Sequence, residues 1–372
     1  MKNDDTCGII TIHFGINYGS ALQVYAMSEV LKKYYGRVYL INYVPKRYSF
    51  KNRYFEKQSL LGILKCALVF PFRARYQFIF KNFLRRHVLL TKEYTNNAKL
   101  LQYCGSMDAY YAGSDQIWNS DYNRFVDPSY YLNFASKKSI KCAYAASFGK
   151  MNLDEAEIED TKDLLKNFDY ISVREEQALT ILSSLGVYNA IQVIDPTFLL
   201  SINDWSMLSA PLVTKKPYLL VYALDNDEEK LVDLARVIAD ELNLDVKLIC
   251  FSYLKMRIKG LDECLTYKSP DAFISAMLGA SYVVTNSFHG IAFSISLNKQ
   301  FVAMRRNAYN SRLESILHLF DLEYRLISKD DPLTKELIGK TIDYSTVNKL
   351  IDIERKKSEE FIEMSIAKWD FM

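Results

Sequence analysis

Histidine is scarce in this chain: His13, His87, His289 and His318 are the four among 372 residues. A histidine-built metal centre needs several imidazoles together, so that class is disfavoured at the outset, and no metal is expected. The six cysteines, Cys7, Cys66, Cys104, Cys142, Cys250 and Cys264, are scattered and contain no C-x-x-C pair. Several lie in apolar, strand-like runs, which fits reduced buried thiols rather than a disulfide frame or a zinc site. H-E-x-x-H, Walker A and G-x-G-x-x-G are all missing, so the zinc-peptidase, P-loop and dinucleotide fingerprints are excluded. No apolar run reaches the length of a membrane span. The opening Met-Lys-Asn-Asp-Asp-Thr lacks an apolar signal core, and residues 9–14 are too short to be one. These absences lead to the expectation of a cytoplasmic protein. A net charge of +3 is too small to argue for nucleic acid. No internal repeat or low-complexity segment stands out.

What is present is an ample supply of core-forming residues. Hydrophobic residues make up 49% of the chain, enough for two domains with their own cores. The 27 tyrosines and 21 phenylalanines suit surfaces that hold sugars, but aromatic rings serve cores more often.

The pattern along the chain is α/β. Residues 9–13 read as a strand, 14–20 as a glycine-bearing loop, 21–34 as a helix and 38–43 as the next strand, a βαβ unit that implies a parallel sheet. Further strands are expected at 108–112, 140–146, 170–173 and 191–194, each ending in polar, charged or glycine residues. A second α/β unit begins near Pro217, with strands at 218–223, 246–250, 282–284 and 301–304 and an amphipathic helix over 227–242. The expected division is an N-terminal domain over 1–205, carrying a helical basic and aromatic insert at about 45–105. A C-terminal domain over 206–344 and a charged helix over 345–372 that could pack back on the first domain complete it. Two such sheets with facing carboxyl edges would make a cleft suited to joining two substrates.

The candidate residues sit at strand ends. In Ser281–Ser296 an apolar strand turns into a helix at about His289, placing an imidazole beside the first free amides of a helix. This is either a proton-transferring histidine beside an anion pocket or a histidine that merely starts a buried helix. Arg174 follows a strand and can grip a carboxylate or phosphate, or simply pair with neighbouring Glu175 or Glu176. Asn17, Tyr18 and Ser20 open the first helix; Ser114, Asp115 and Gln116 end another strand. Both sets could hold a sugar, or serve only as turns and caps. Arg305 and Arg306 follow the strand after the His289 helix, and His13 is the reserve group for acid/base work. Asp225-Asn-Asp227 has the form of a metal-binding D-x-D, but heads a helix and reads better as a cap. Residues 60–72 are apolar apart from Lys65 and are flanked by basic residues. They read as a core-packing helix with a solvated basic face, or as a segment resting on an anionic membrane surface.

Six strand-end motifs fall in order across roughly residues 8–305: NYGSALQ at 17–23, AGSDQIW at 112–118, ASFG at 146–149, SVRE at 172–175, DPT at 195–197 and TNSFHG at 285–290. Together they resemble the polysaccharide pyruvyl transferase family. The resemblance implies a two-domain fold similar to the GT-B glycosyltransferases. It also implies transfer of a pyruvyl group from phosphoenolpyruvate onto two hydroxyls of a sugar, giving a cyclic ketal in capsule or exopolysaccharide synthesis. Phosphoenolpyruvate would be a co-substrate, with no separate cofactor. A sugar or lipid-linked oligosaccharide would be the acceptor, and contact with the inner membrane surface would be peripheral. The family histidine maps onto His289 and its strand-end arginine onto Arg174, the two catalytic candidates. Ser287, Gly290 and Arg305 would bind the donor, and Asn17, Tyr18, Ser114, Asp115 and Gln116 the acceptor. Some members carry a second arginine where this chain has Ser287; Arg305, Lys299 or the helix amides would then supply the second anion contact. Rival readings are a glycosyltransferase using a nucleotide sugar and a non-catalytic sugar-binding protein of the same pathway.

Overall fold

A computed structural model describes residues 4–48, 60–209, 216–224, 227–251, 258–306, 310–329, 331 and 334–367, with side chains of 60–68 not described. The chain divides into two compact units. Unit 1 comprises Met1–Leu199 and Arg355–Met372; unit 2 is Leu200–Glu354.

Unit 1 is built on a seven-stranded parallel sheet of β1 (Thr6–Ile10), β2 (Arg37–Leu40), β3 (Leu89–Leu90), β4 (Ala109–Ala112), β5 (Ile140–Ala146), β6 (Tyr170–Val173) and β7 (Ile191–Gln192). Their order across the sheet is 3-2-1-4-5-6-7. The inner strands are buried on both faces, which is why β4 and β5 read as near-continuous apolar runs. β3 falls inside the segment expected to be wholly helical. Two residues long, it carries no periodic signal of its own and exists because β2 offers it an edge.

Helix α1 (Tyr18–Leu31) follows β1, and its N-cap Asn17 accepts the Ser20 amide. It starts three residues before its apolar spacing suggests, because the cap rather than the first apolar residue sets a helix start. Helix α2 (Leu60–His87) carries the basic and aromatic insert. Tyr76, Phe80, Phe83 and Leu84 form its buried stripe, spaced by four and three residues. Phe78 on its other side is exposed; of the apolar segment 60–72 expected to pack in a core, the side chains of 60–68 lie outside the described residues, and Val69, Phe70 and Phe72 are exposed.

Unit 2 holds a six-stranded parallel sheet of β8 (Tyr218–Tyr222), β9 (Asp245–Cys250), β10 (Glu263–Thr266), β11 (Tyr282–Thr285), β12 (Gln300–Met304) and β13 (Leu326–Ile327), ordered 10-9-8-11-12-13. Helix α3 (Glu228–Leu242) covers it with Leu231, Val232, Ala235 and Ile238. Helix α4 (Phe288–Ser296) follows β11 and is buried along its whole length. Helix α5 (Ser311–Leu319) follows β12.

The last helix, α6 (Tyr344–Ala367), begins in unit 2 and ends in unit 1. Within unit 1, Ser358 Oγ accepts the Ile194 amide at 3.1 Å and Ser365 Oγ lies 2.6 Å from the Tyr111 hydroxyl. Phe361 packs between the rings of Tyr144 and Tyr170. The small polar residues on an otherwise amphipathic helix are thus partners for buried polar atoms of the sheet layer.

Candidate functional site

In each sheet the strand order reverses once, between β1 and β4 and between β8 and β11. At such a reversal the loops leaving adjacent strands diverge to opposite faces, opening a crevice at the carboxyl edge where ligands of open α/β sheets bind. The motifs at 17–23, 112–118 and 285–290 occupy these two places, and those at 146–149, 172–175 and 195–197 follow β5, β6 and β7 beside the first.

In unit 1 the loops after β1 and β4 are tied together. Thr11 Oγ1 donates to the Ser114 carbonyl oxygen at 2.6 Å and accepts from Gln23 Nε2 at 3.1 Å. Ser20 Oγ donates to Asp115 Oδ2 at 2.8 Å, across 95 residues of sequence. Asp115 has φ +81°, a conformation costly for a residue with a side chain and concentrated at functional sites. Beside it lies a cavity of about 170 Å³, whose lining includes Asn17, Ser20, Asp115, Gln116 and Tyr122. Two of the expected acceptor residues are placed differently. Tyr18 is fully buried against Phe80. Ser114 is fully buried, and its hydroxyl donates to Asp195 Oδ2 at 2.6 Å. Both belong to the frame of the cavity, not its lining.

Arg174 is also internal. Its side chain is 2% exposed, and Nη1 lies 3.1 Å from Asp195 Oδ2, with Asp115 and Glu175 carboxylates each 3.9 Å away. Asp195 in turn accepts from the Thr197 amide and hydroxyl, so the DPT motif is a capped turn. In the structure Arg174 stands in an ion pair with Asp195, and the donor contact is an expectation drawn from the sequence. The nearer partner is Asp195 on the neighbouring strand's loop; the adjacent Glu175 that the sequence suggested is the more distant one.

The ASFG turn is held from the same side. Ser147 Oγ donates to Glu175 Oε1 at 2.7 Å, and Gly149 takes φ +61° with a Cβ position 2.1 Å from Gln116 Oε1. Just beyond, buried Lys150 reaches Glu157 at 2.8 Å, Asp121 at 3.0 Å and Asp154 at 3.2 Å. Burial alone would lower its titration, but these carboxylates outweigh it and hold the ammonium well above its ordinary range.

In unit 2 the TNSFHG motif makes the β11 turn. Thr285 Oγ1 donates to the Tyr222 carbonyl oxygen at 2.7 Å and accepts the Ser287 amide at 3.0 Å. Asn286 accepts the Leu224 amide at 2.8 Å and donates to the Leu224 carbonyl and to Asp227 Oδ2, each at 3.1 Å, clamping the β8 loop to the β11 loop. Asp227 occupies the N-cap position of α3 but does not cap it; its carboxylate serves Asn286 and Lys230 instead. Residues 225 and 226, the rest of the D-x-D, lie outside the described residues.

His289 sits in the first turn of α4 with 6% of its surface exposed, edge-on to Phe288. Ser287 is the N-cap, yet its hydroxyl makes no capping bond. Gly290 is buried against Thr285: a Cβ there would lie 2.1 Å from Thr285 Oγ1. Its lack of a side chain permits this close approach of helix to strand. Arg305 follows β12 at the same carboxyl edge and pairs with Glu314 of α5, both partly exposed. Lys299 precedes β12, at the opposite edge of the sheet, and donates to the Leu278 carbonyl oxygen at 2.5 Å, so it is removed from the anion contacts.

Reasoning from sequence missed Asn286 and Asp195 as organisers. Both stood inside quoted motifs, but their partners are 62 and 21 residues away. Among the described residues no three His, Cys, Asp or Glu side chains gather as a metal site, and no helix is long and apolar enough to cross a membrane.

The polysaccharide pyruvyl transferase family model matches residues 17–307. The chain belongs to this family. The match spans every motif from Asn17 to Arg305 and the whole unit 2 reversal, while β1 of the unit 1 reversal precedes it. No match was found among curated protein sequences. Among solved structures, a UDP-N-acetylglucosamine 2-epimerase is similar with TM-score 0.55 at 13% identity, covering 100% of this chain and 98% of that one. The S. aureus MnaA structure with UDP is similar with TM-score 0.52 at 14% identity, covering 94% of this chain and 89% of that one. At such identities the likeness concerns the fold: two parallel α/β sheets, as in GT-B type enzymes.

Proposed function

We propose that this pyruvyl transferase family member moves the pyruvyl group of phosphoenolpyruvate onto two hydroxyls of a sugar, as a cytoplasmic step of surface-polysaccharide synthesis. The observation that carries this reading is the position of His289. A single imidazole stands in the first turn of α4, at the carboxyl-edge reversal of unit 2, within the family match.

The chemistry asked of the site is specific. The methylene carbon of phosphoenolpyruvate takes a proton while one sugar hydroxyl adds to the neighbouring carbon. Phosphate then leaves, and the second hydroxyl closes the ketal. A group that both gives and takes protons near neutral pH suits these steps, and histidine is the ordinary choice. The donor's carboxylate and phosphate suit a helix start whose N-cap side chain does not occupy the first-turn amides, with the Arg305 guanidinium on the adjacent strand end. Ser287, in this reading, leaves its hydroxyl for the donor. The acceptor is assigned to the unit 1 edge, where Asn17, Asp115 and Gln116 line the cavity.

The test is thermal unfolding with phosphoenolpyruvate, and with a uridine diphosphate sugar in parallel. A ligand that binds the folded protein raises the midpoint by mass action. A rise with phosphoenolpyruvate that is lost in Arg305→Ala is the expected result. A rise only with the nucleotide sugar would replace this reading with glycosyl transfer.

A further inference from the structure

Ketal formation asks for two proton-handling groups at once. In the first step a sugar hydroxyl oxygen bonds to the carbon that bears the phosphate, and its proton must leave. In the same step the methylene carbon gains a proton. An imidazole that holds the proton for carbon has no lone pair free for the hydroxyl. With His289 serving the carbon, the hydroxyl needs a second base, neutral before the step and placed at the acceptor edge of unit 1.

His13 stands at that edge. It lies three residues beyond the end of β1, at the strand-order reversal of unit 1. It lines a cavity of about 270 Å³ together with Asn42, Tyr48, Gln77 and Glu93. Phe14 and Gly15 line both this cavity and the one that holds Asn17, Asp115 and Gln116.

The two ring nitrogens of His13 are held differently. Nδ1 donates to the Thr11 carbonyl oxygen at 3.0 Å. A carbonyl can only accept, so Nδ1 keeps its proton in either charge state, and Nε2 is the nitrogen that gains and loses one. Nε2 is 3.2 Å from the Asn42 side-chain amide. An amide suits both states of the ring, because one end donates to a bare Nε2 and the other accepts from a protonated one. Asn42 is itself fixed through its backbone: its N–H donates to Thr91 Oγ1 at 3.0 Å, and its carbonyl accepts the Tyr94 amide at 2.9 Å. The charges near the ring are Glu93, beyond β3, and Lys81, on α2, opposite in sign and both exposed. Burial outweighs every other influence and holds the imidazole below 6.5, so it is neutral at pH 7. Asp115, the other candidate base at this edge, already accepts from Ser20 Oγ with one carboxylate oxygen and from the Gln116 amide with the other.

We propose that His13 is a second catalytic residue, the base whose Nε2 takes the proton of the attacking sugar hydroxyl. The inference rests on the transferase reading. As the hydroxyl oxygen bonds to the substituted carbon of phosphoenolpyruvate, the double-bond pair takes a proton from His289 onto the methylene carbon, and the hydroxyl proton passes to His13. The bond from carbon to the phosphate oxygen then breaks with its electron pair. The second hydroxyl oxygen bonds to the same carbon, its proton restores His289, and the proton on His13 leaves with phosphate.

The experiment follows phosphate release from phosphoenolpyruvate by the whole chain over a pH series. Methyl glucopyranoside and methyl galactopyranoside supply the hydroxyls, with water as a slower nucleophile. His13→Gln should lower kcat by about 100-fold or more, while the rise of the unfolding midpoint with phosphoenolpyruvate persists. The pH profile separates a base from a structural part. Wild-type kcat should fall on the acid side, below 6.5, where Nε2 is protonated before the step, and the residual rate of His13→Gln should lack that limb. An acid limb that persists in His13→Gln would overturn the assignment in favour of another base such as Asp115. Unchanged kcat would overturn it as well and leave the transferase reading standing. So would a wild type that binds phosphoenolpyruvate yet releases no phosphate, because a seated base activates water slowly. Absence of both the midpoint rise and phosphate release would remove the transferase reading, and this base with it.

Discussion

The Cβ position of Gly290 lies 2.1 Å from Oγ1 of Thr285, the residue that ends β11 and whose hydroxyl holds both the Tyr222 carbonyl and the Ser287 amide. Helix α4 is thereby seated directly on the strand end, and His289 is positioned by a contact that admits no side chain at the next residue.

Gly290→Ala is expected to destabilise by about 1–3 kcal/mol, because the pinned threonine cannot yield without losing two hydrogen bonds. Chemical denaturation measures this. Adding Thr285→Ser removes the methyl carbon at 2.9 Å but keeps the hydroxyl oxygen at 2.1 Å and Cβ at 2.8 Å, so it should recover little. Full recovery would contradict the contact.

Removing the His289 side chain tests the chemistry itself. His289→Ala should lower kcat for ketal formation by roughly 100-fold or more, the usual worth of a positioned acid/base. Formation of the ketal from phosphoenolpyruvate is followed by phosphate release. Normal turnover would end the role given to His289.

Arg174 and Asp195 are 2% and 0% exposed at their side chains. Arg174→Met leaves a buried carboxylate uncompensated and should cost about 3–5 kcal/mol. Arg174→Met with Asp195→Leu should regain much of it, as measured by a double-mutant cycle. The recovered double variant also reads donor binding free of that cost: a raised phosphoenolpyruvate KM there would return Arg174 to the donor site.

His13 gives a pH signature. Burial pushes its imidazole below the ordinary value of 6.5, against the opposing bonds to Thr11 and Asn42. A base with a lowered folded pKa takes up its proton more readily when unfolded. Stability is therefore full above 6.5 and falls as pH drops below it, by up to about 1.4 kcal/mol per unit until the folded form titrates. His13→Gln should flatten the profile between pH 6.5 and 5 in denaturation series. An unchanged slope would show that His13 is not buried as a neutral ring.

Local chemistry sufficed for the alternation of strands and helices, for the glycine and polar residues at strand ends, and for the helix start at His289. Each is written in neighbouring residues, through apolar spacing and capping side chains that act within a turn. The edge strands β3, β10 and β13 escaped, because each is short or mixed in polarity and is defined by the one neighbour it pairs with.

Only the tertiary structure decided which strand ends meet. Sheet order is set by nonlocal packing of helices over the sheet. It placed β1 beside β4, joining Ser20 to Asp115, and β8 beside β11, joining Asn286 to Leu224. The same packing gave Arg174 a nearer partner in Asp195 than in adjacent Glu175, because a buried charge takes the partner that burial brings to it. Gly290 follows the same rule. The sequence named it only as a donor contact, and the close threonine hydroxyl on the strand beneath is visible only in the structure.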